Sequence, residues 1–144
     1  MIETEFALTR RHLSLAGARA ALDAAEAKAR EMGIASAIVL VDCDGGIKAS
    51  IAMDGVTPLA ARMAQRKAAS AACTGVGTDE WWDVIKDDGP LLHGLPQHDE
   101  LVIFSGGLPL LWDGSILGAI GVSGGHYTED HAIASAGAQA LAGP

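Results

Sequence analysis

GGLPLLWDGSILGAIGVSGG, Gly106 to Gly125, decides the fold class of this 144-residue chain. Two short apolar runs of strand-like composition, Leu108 to Trp112 and Ser115 to Val122, flank Asp113-Gly114. That dipeptide suits a two-residue type I′ turn, in which both central residues take positive φ, so the stretch reads as a β-hairpin. Gly118 and Gly121 interrupt the second strand, where glycine marks a bulge or a close approach of backbone or ligand. Ser123-Gly124-Gly125 then leads to a helix opened by Thr128-Glu129-Asp130 and running from about Glu129 to Leu141. A hairpin thus delivers a bare backbone loop to a helix N-terminus, a suitable place for a small polar ligand.

Upstream, Leu101 to Phe104 reads as a further strand, the third in chain order. Asp87 to Glu100 has prolines, glycines and histidines but no periodicity, and is expected to be an ordered excursion over one face. Thr78 to Lys86 predicts a short amphipathic helix carrying Trp81 and Trp82. Thr57-Pro58 is a helix entry, threonine as N-cap and proline first inside, for a helix from Leu59 to Cys73. Ile47 to Met53 and Ala35 to Val41 are strands joined by the turn Cys43-Asp44-Gly45-Gly46. The apolar AIVLV of the latter suits burial on both faces. Before it, Leu15, Ala18, Leu22, Ala25 and Ala29 recur at helical spacing, with Ser14 or Thr9 as cap and Gly33 as stop. The order α-β-β-α-α-β-β-β-α lacks strand–helix–strand alternation. It predicts one α+β domain, residues 1–144, with a five-stranded antiparallel sheet and packed helices.

A net charge of −8 makes nucleic acid a poor partner. No apolar run approaches the roughly 18 residues of a membrane span, and Met1-Ile2-Glu3-Thr4-Glu5 reads as an ordinary cytoplasmic start rather than a signal peptide. Cys43 and Cys73 lack CxxC spacing and are expected to be reduced structural thiols. The alanine-rich helices suggest faces that bury against further copies of the chain, hence a homo-oligomer.

The Gly106 to Gly125 segment with the ED and IA-A-GA-AL pattern after it is similar to the C-terminal signature of the GlcG/HbpS family, which includes haem-degrading domains and the C-terminus of PduO-type proteins. VLVDCDGGIKASIAMDGV, Val39 to Val56, and ARMAQRKAASAA, Ala61 to Ala72, agree with it in order, so the resemblance spans about Leu13 to Ala142. It implies a profilin-like layered fold, homo-oligomers and a small-molecule ligand, haem being the best known in the family. Relatives are also linked to haem breakdown and to glycolate-type operons. One departure stands out. An arginine often precedes the methionine of the family's MDG element, whereas this chain has Ser50-Ile51-Ala52-Met53. That removes one anion or haem-propionate contact.

His126 follows the glycine loop and precedes a helix start, so it is the candidate acid, base or axial haem ligand. Asp130 matches the acidic position that opens the family's last helix, although capping alone favours an acid there. Lys67, read on one face with Arg62 and Arg66, either holds a ligand carboxylate or pairs with Asp54 or with a neighbouring subunit's acids. Gly106, Gly107, Ser123, Gly124 and Gly125 are the expected backbone cradle, with the Trp81/Trp82 helix beside them. Adjacent tryptophans on a helix point about 100° apart, so one of them is left for a pocket, an interface or solvent. No histidine spacing is diagnostic for zinc, and no metal site is expected. GxSxG, Walker and GxGxxG motifs are absent. Two functional readings follow: a binding protein for haem or a related ligand, or a cofactor-free enzyme acting on a small oxygenated or carboxylated metabolite through His126 and Asp130. A purely structural subunit is the third.

Overall fold

The computed structural model describes residues 5–142. The expected cytoplasmic start falls mostly on residues 1–4, outside the described residues. Helix α1, Leu15–Met32, begins where Ser14 Oγ accepts from the Gly17 N–H, and it ends at Gly33 in the left-handed region. Of the two caps the sequence offers, Ser14 is the one used. Strands β1, Ala37–Asp42, and β2, Ile47–Ala52, follow. Helix α2, Pro58–Thr74, is capped by Thr57 Oγ1 on the Ala60 N–H, with proline inside its first turn. A 3₁₀ turn at Thr78–Glu80 leads into the short α3, Trp81–Ile85. The aperiodic excursion holds a one-and-a-half-turn helix α4, Gly89–Gly94, and another 3₁₀ turn. The hairpin supplies β3, Gly107–Trp112, and β4, Ser115–Ser123, and α5, Tyr127–Gln139, closes the domain. Asp113 and Gly114 both have positive φ, 49° and 72°, as the expected turn requires.

The sheet has the order β2-β1-β4-β3 with every neighbouring pair antiparallel. It has four strands among the described residues, not five. The expected strand at Leu101–Phe104 is irregular backbone. Leu101 and Val102 are buried, and the Val102 N–H donates to Ser70 Oγ at 3.1 Å, so a side chain of α2 satisfies it instead of a ladder. A four-residue apolar run signals burial but does not by itself distinguish a strand from a buried connector.

Helices cover both sheet faces, which accounts for the unbroken apolar run of β1. Ala37, Val39 and Val41 face α2 and meet Ala64, Ala68 and Ala71 together with Ala119 of β4. Ile38 and Leu40 point the other way, with Ile120 and Val122, against Ala18, Ala21, Ala25 and Ala29 of α1 and Ile133 of α5. These buried helical alanines let helix and sheet approach closely inside the chain, while Ala16, Ala20 and Ala27 of α1 stay exposed. At the tightest crossing, a Cβ on Gly121 would run into the Ala64 carbonyl oxygen. Pro109 sits in β3, an edge strand, where the missing N–H costs no ladder bond.

Candidate functional site

A cleft of about 560 Å³ opens between α3, the connector before β3 and the start of α5. Its walls are Asp79, Trp82, Ile103, Phe104, Ser105 and Tyr127. Ile85 is fully buried and anchors α3, which turns Trp82 outward and leaves it 50% exposed. Trp81 is partly buried, and its Nε1–H has no hydrogen-bond partner among the described residues. The angular argument from sequence therefore resolves in favour of Trp82 as the cleft residue.

Behind Phe104 lies the ammonium of Lys67, 5.1 Å from the ring centroid. Lys67 is on the inward face of α2 with Ala64 and Ala68, and its side chain is 1% exposed. This corrects the face read from sequence: Arg62 and Arg66 lie on the exposed side, and Arg66 Nε donates to the Asp99 carbonyl at 3.2 Å. Lys67 Nζ donates to the Val122 carbonyl and to Asp130 Oδ2, both at 2.9 Å. Asp130 is 2% exposed, and its other oxygen accepts from the Gly125 N–H at 3.0 Å. Burial pushes Lys67 down and Asp130 up from their ordinary pKa ranges, and their mutual hydrogen bond and charge oppose both shifts. Lys67 pairs within the chain, but with Asp130 rather than with the Asp54 or the neighbouring subunit's acids expected from sequence.

Gly106 and Gly107 belong to this buried cluster. Gly106 has φ 126°, and a Cβ there would meet Lys67 Nζ and the Val122 carbonyl. The Gly107 N–H donates to Thr78 Oγ1 at 2.9 Å, beside the α2 backbone. Both glycines are buried; the residues just before them, Ile103 to Ser105, line the cleft instead.

His126 is the N-cap of α5. Its Nδ1 accepts from the Thr128 N–H at 3.3 Å and lies 2.8 Å from Thr128 Oγ1, while Glu129 Oε1 accepts from its backbone N–H. A neutral ring accepting at Nδ1 carries its proton on Nε2. The imidazole packs on Tyr127 with centroids 4.0 Å apart, which brings it to the rim of the aromatic cleft.

The remaining expected residues lie elsewhere. Gly124 and Gly125 line a second cleft of about 350 Å³ with Gly55, Val56 and Thr57, next to the element where the family arginine is missing. Arg62 borders a third hollow over β1 and β2. Ser123 ends β4, half-buried. The structure therefore gathers Lys67, Asp130, Gly106, Gly107 and Gly125 around one buried ion pair, sets Trp82 and His126 at the neighbouring cleft, and separates Arg62 from both. Sequence reasoning missed Phe104, Tyr127 and Asp79. The signal was available for the rings, since Phe104 and Tyr127 are two of only six aromatic residues and adjoin the glycine-rich stretches already singled out.

The chain and its fold have close counterparts. A 15.0 kDa protein in the dhaT-dhaS intergenic region of Citrobacter freundii is 35% identical over 124 residues, 85% of this chain and 87% of that one. The crystal structure of Klebsiella pneumoniae protein ORFY superposes with a TM-score of 0.89 at 28% identity, covering 97% of each chain. The crystal structure of a PduOC–haem complex matches with a TM-score of 0.83 and 29% identity, over 90% of this chain and 95% of the other. Residues 13–139 match the family described as haem degrading protein HbpS-like. The chain belongs to that family, the GlcG/HbpS group its sequence resembles.

Proposed function

We propose that this chain binds a flat, largely apolar ligand of the tetrapyrrole class, haem first, in the cleft walled by Trp82, Phe104 and Tyr127. The observation that carries the reading is the clustering there of three of the chain's six aromatic residues, each about half exposed. Exposed rings around one concavity offer planar faces for stacking, at a cost in solvation that a bound ligand recovers. The haem complex of a relative with the same fold supports it.

The residues present fit such a group in part. Trp82 and Phe104 supply apolar walls, and the Tyr127 phenol or the His126 imidazole, both at the rim, supplies an iron ligand. Ligation through His126 Nε2 would place the ring proton on Nδ1, with Thr128 Oγ1 at 2.8 Å as its acceptor and the cap bond from the Thr128 N–H given up. The bound group would supply redox or oxygen chemistry; the protein residues bind and orient it. A homo-oligomer belongs to the same reading, resting now on exposed Trp82, Val84, Leu111 and Trp112 instead of helical alanines.

Titration of the apo protein with haemin, followed by Soret absorbance and tryptophan fluorescence, tests the reading. Trp82→Ala and Phe104→Ala should each weaken binding about tenfold, the loss of one stacked aromatic contact. Haemin affinity unaltered by both substitutions would remove the ligand from this cleft.

A second reading, a cofactor-free enzyme acting on a small oxygenated or carboxylated metabolite, draws on the Lys67–Asp130 pair. Lys67 stands one ring behind the cleft, with its buried partner Asp130 beyond it. Thermal-shift screening with small hydroxy- and carboxylic acids separates it from haem binding.

A further inference from the structure

The turn between β1 and β2 meets the segment that enters α1, and there three donor side chains of different chemistry converge. Cys43 Sγ lies 3.3 Å from His12 Nδ1, and His12 Nδ1 lies 4.0 Å from Asp44 Oδ2. One donor atom from each of the three residues falls within 4.8 Å of the others. We infer that His12, Cys43 and Asp44 form a binding site for a divalent transition-metal ion of the zinc type, with one coordination position left open.

Geometry supports this first. With zinc–sulfur bonds of about 2.3 Å and zinc–nitrogen or zinc–oxygen bonds of about 2.0–2.2 Å, tetrahedral neighbours stand about 3.4–3.6 Å apart. The separations of 3.3 and 4.0 Å bracket that spacing, so small side-chain rotations suffice to close the donors on one ion.

Preorganisation supports it second. Asp42 Oδ1 accepts from the backbone N–H groups of Asp44 and Gly46 at 2.9 and 3.1 Å, which holds the turn carrying Cys43 and Asp44. Leu13, next to His12, is 1% exposed, and its N–H donates to the Leu117 carbonyl at 2.9 Å. His12 is thereby pinned against the turn from a distant part of the chain.

The donor set selects the ion. A thiolate with an imidazole excludes magnesium and calcium, which take oxygen ligands, and favours zinc, cobalt or ferrous iron. Cys43 is only 6% exposed while the side chains of His12 and Asp44 are 48% and 64% exposed, so the ion enters from solvent and reaches the thiol last. Binding releases the thiol proton to water. Arg10 Nη1 contacts Asp44 Oδ1 at 3.2 Å, which orients the carboxylate with Oδ2 toward His12; its positive charge also moderates the affinity. Cys73 makes the contrast. It is exposed, a hydrogen bond to Glu100 raises its thiol pKa, and among the described residues it belongs to no group of three such donors.

The test uses the whole chain, tag-free, reduced and stripped with chelator, titrated with cobalt(II) and then with zinc. The site predicts one equivalent per chain, a near-ultraviolet thiolate-to-cobalt charge-transfer band, tetrahedral visible bands, and displacement of cobalt by zinc. Cys43→Ser should abolish the charge-transfer band, and His12→Ala, half-exposed and safe for folding, should weaken binding by at least about tenfold. Cys73→Ser should leave both unchanged. A folded wild-type protein that shows no such band, or a band that survives Cys43→Ser and His12→Ala, overturns the inference. The site is remote in sequence from the aromatic cleft, and haemin binding by these variants should match the wild type.

Discussion

Lys67 Nζ and Asp130 Oδ2 stand 2.9 Å apart with both side chains almost wholly withdrawn from water, joining the middle of α2 to the first turn of α5 across the end of β4. A second acceptor is also close: Nζ donates to the Val122 carbonyl at 2.9 Å. Removing two charges from water costs several kcal/mol per ion, which the Val122 carbonyl, the Gly125 N–H and the face of Phe104 help to offset. Its role is to fix how the last helix meets the sheet, and so to place Tyr127 and His126.

Lys67→Met should cost about 3–5 kcal/mol at neutral pH, because it strands a buried carboxylate. Burial already raises the folded pKa of Asp130, and Lys67 opposes that rise. Without Lys67 the folded value climbs further above the unfolded one. The proton bound by the folded state then confers stability that is full below the unfolded pKa and lost as pH rises through the folded pKa. The deficit relative to wild type should therefore shrink as pH falls from neutral toward the carboxylate range. Urea unfolding at several pH values measures it, and a deficit independent of pH contradicts the stranded-charge account. The double variant Lys67→Met, Asp130→Leu should recover most of the loss.

Gly121→Ala should be among the most damaging single-methyl additions in the chain. The new Cβ would meet backbone atoms of Ala64 and Ala68, which cannot rotate away, and overpacking of this kind costs about 1–3 kcal/mol or more. Gly114→Ala, at φ 72° with nothing nearby, should cost only the left-handed conformational penalty of about 1–2 kcal/mol. Thermal melts of the two variants should rank in that order; equal melting temperatures would mean that α2 does not press on β4 as closely as described.

His126→Ala should lose about 1 kcal/mol, the usual worth of an N-cap side chain, since Nδ1 accepts from the Thr128 N–H. His126→Asn should keep most of that stability. If His126 also ligates haem iron, both variants shift the Soret band, whereas a pure cap leaves the spectrum alone. Stability and spectrum together separate the two roles.

In solution the chain should be larger than its 14.7 kDa monomer. Trp82, Val84, Leu111 and Trp112 are each 45% or more exposed, and β3 is an unpaired sheet edge carrying two of them. Multi-angle light scattering at micromolar concentration decides the matter, and a monodisperse monomer would remove assembly from the account.

What the sequence determined by itself is what neighbouring residues impose on each other. Asp113-Gly114 set the hairpin, Ser14 and Thr57 set two helix starts, Gly33 set a helix end, and AIVLV announced a strand covered on both faces. Each rests on capping, turn geometry or periodicity within a turn or a strand. Leu101 to Phe104 escaped because burial alone does not say whether a backbone hydrogen-bonds to a strand or to Ser70. The pairing of Lys67 with Asp130, 63 residues apart, and of His12 with Cys43, 31 apart, was settled only by the stacking of helices on the sheet. The same stacking brought Trp82, Phe104 and Tyr127 around one cleft. Such contacts depend on which face each element turns toward the others, and that is set by the lowest free energy of the packed whole rather than by any local run of residues.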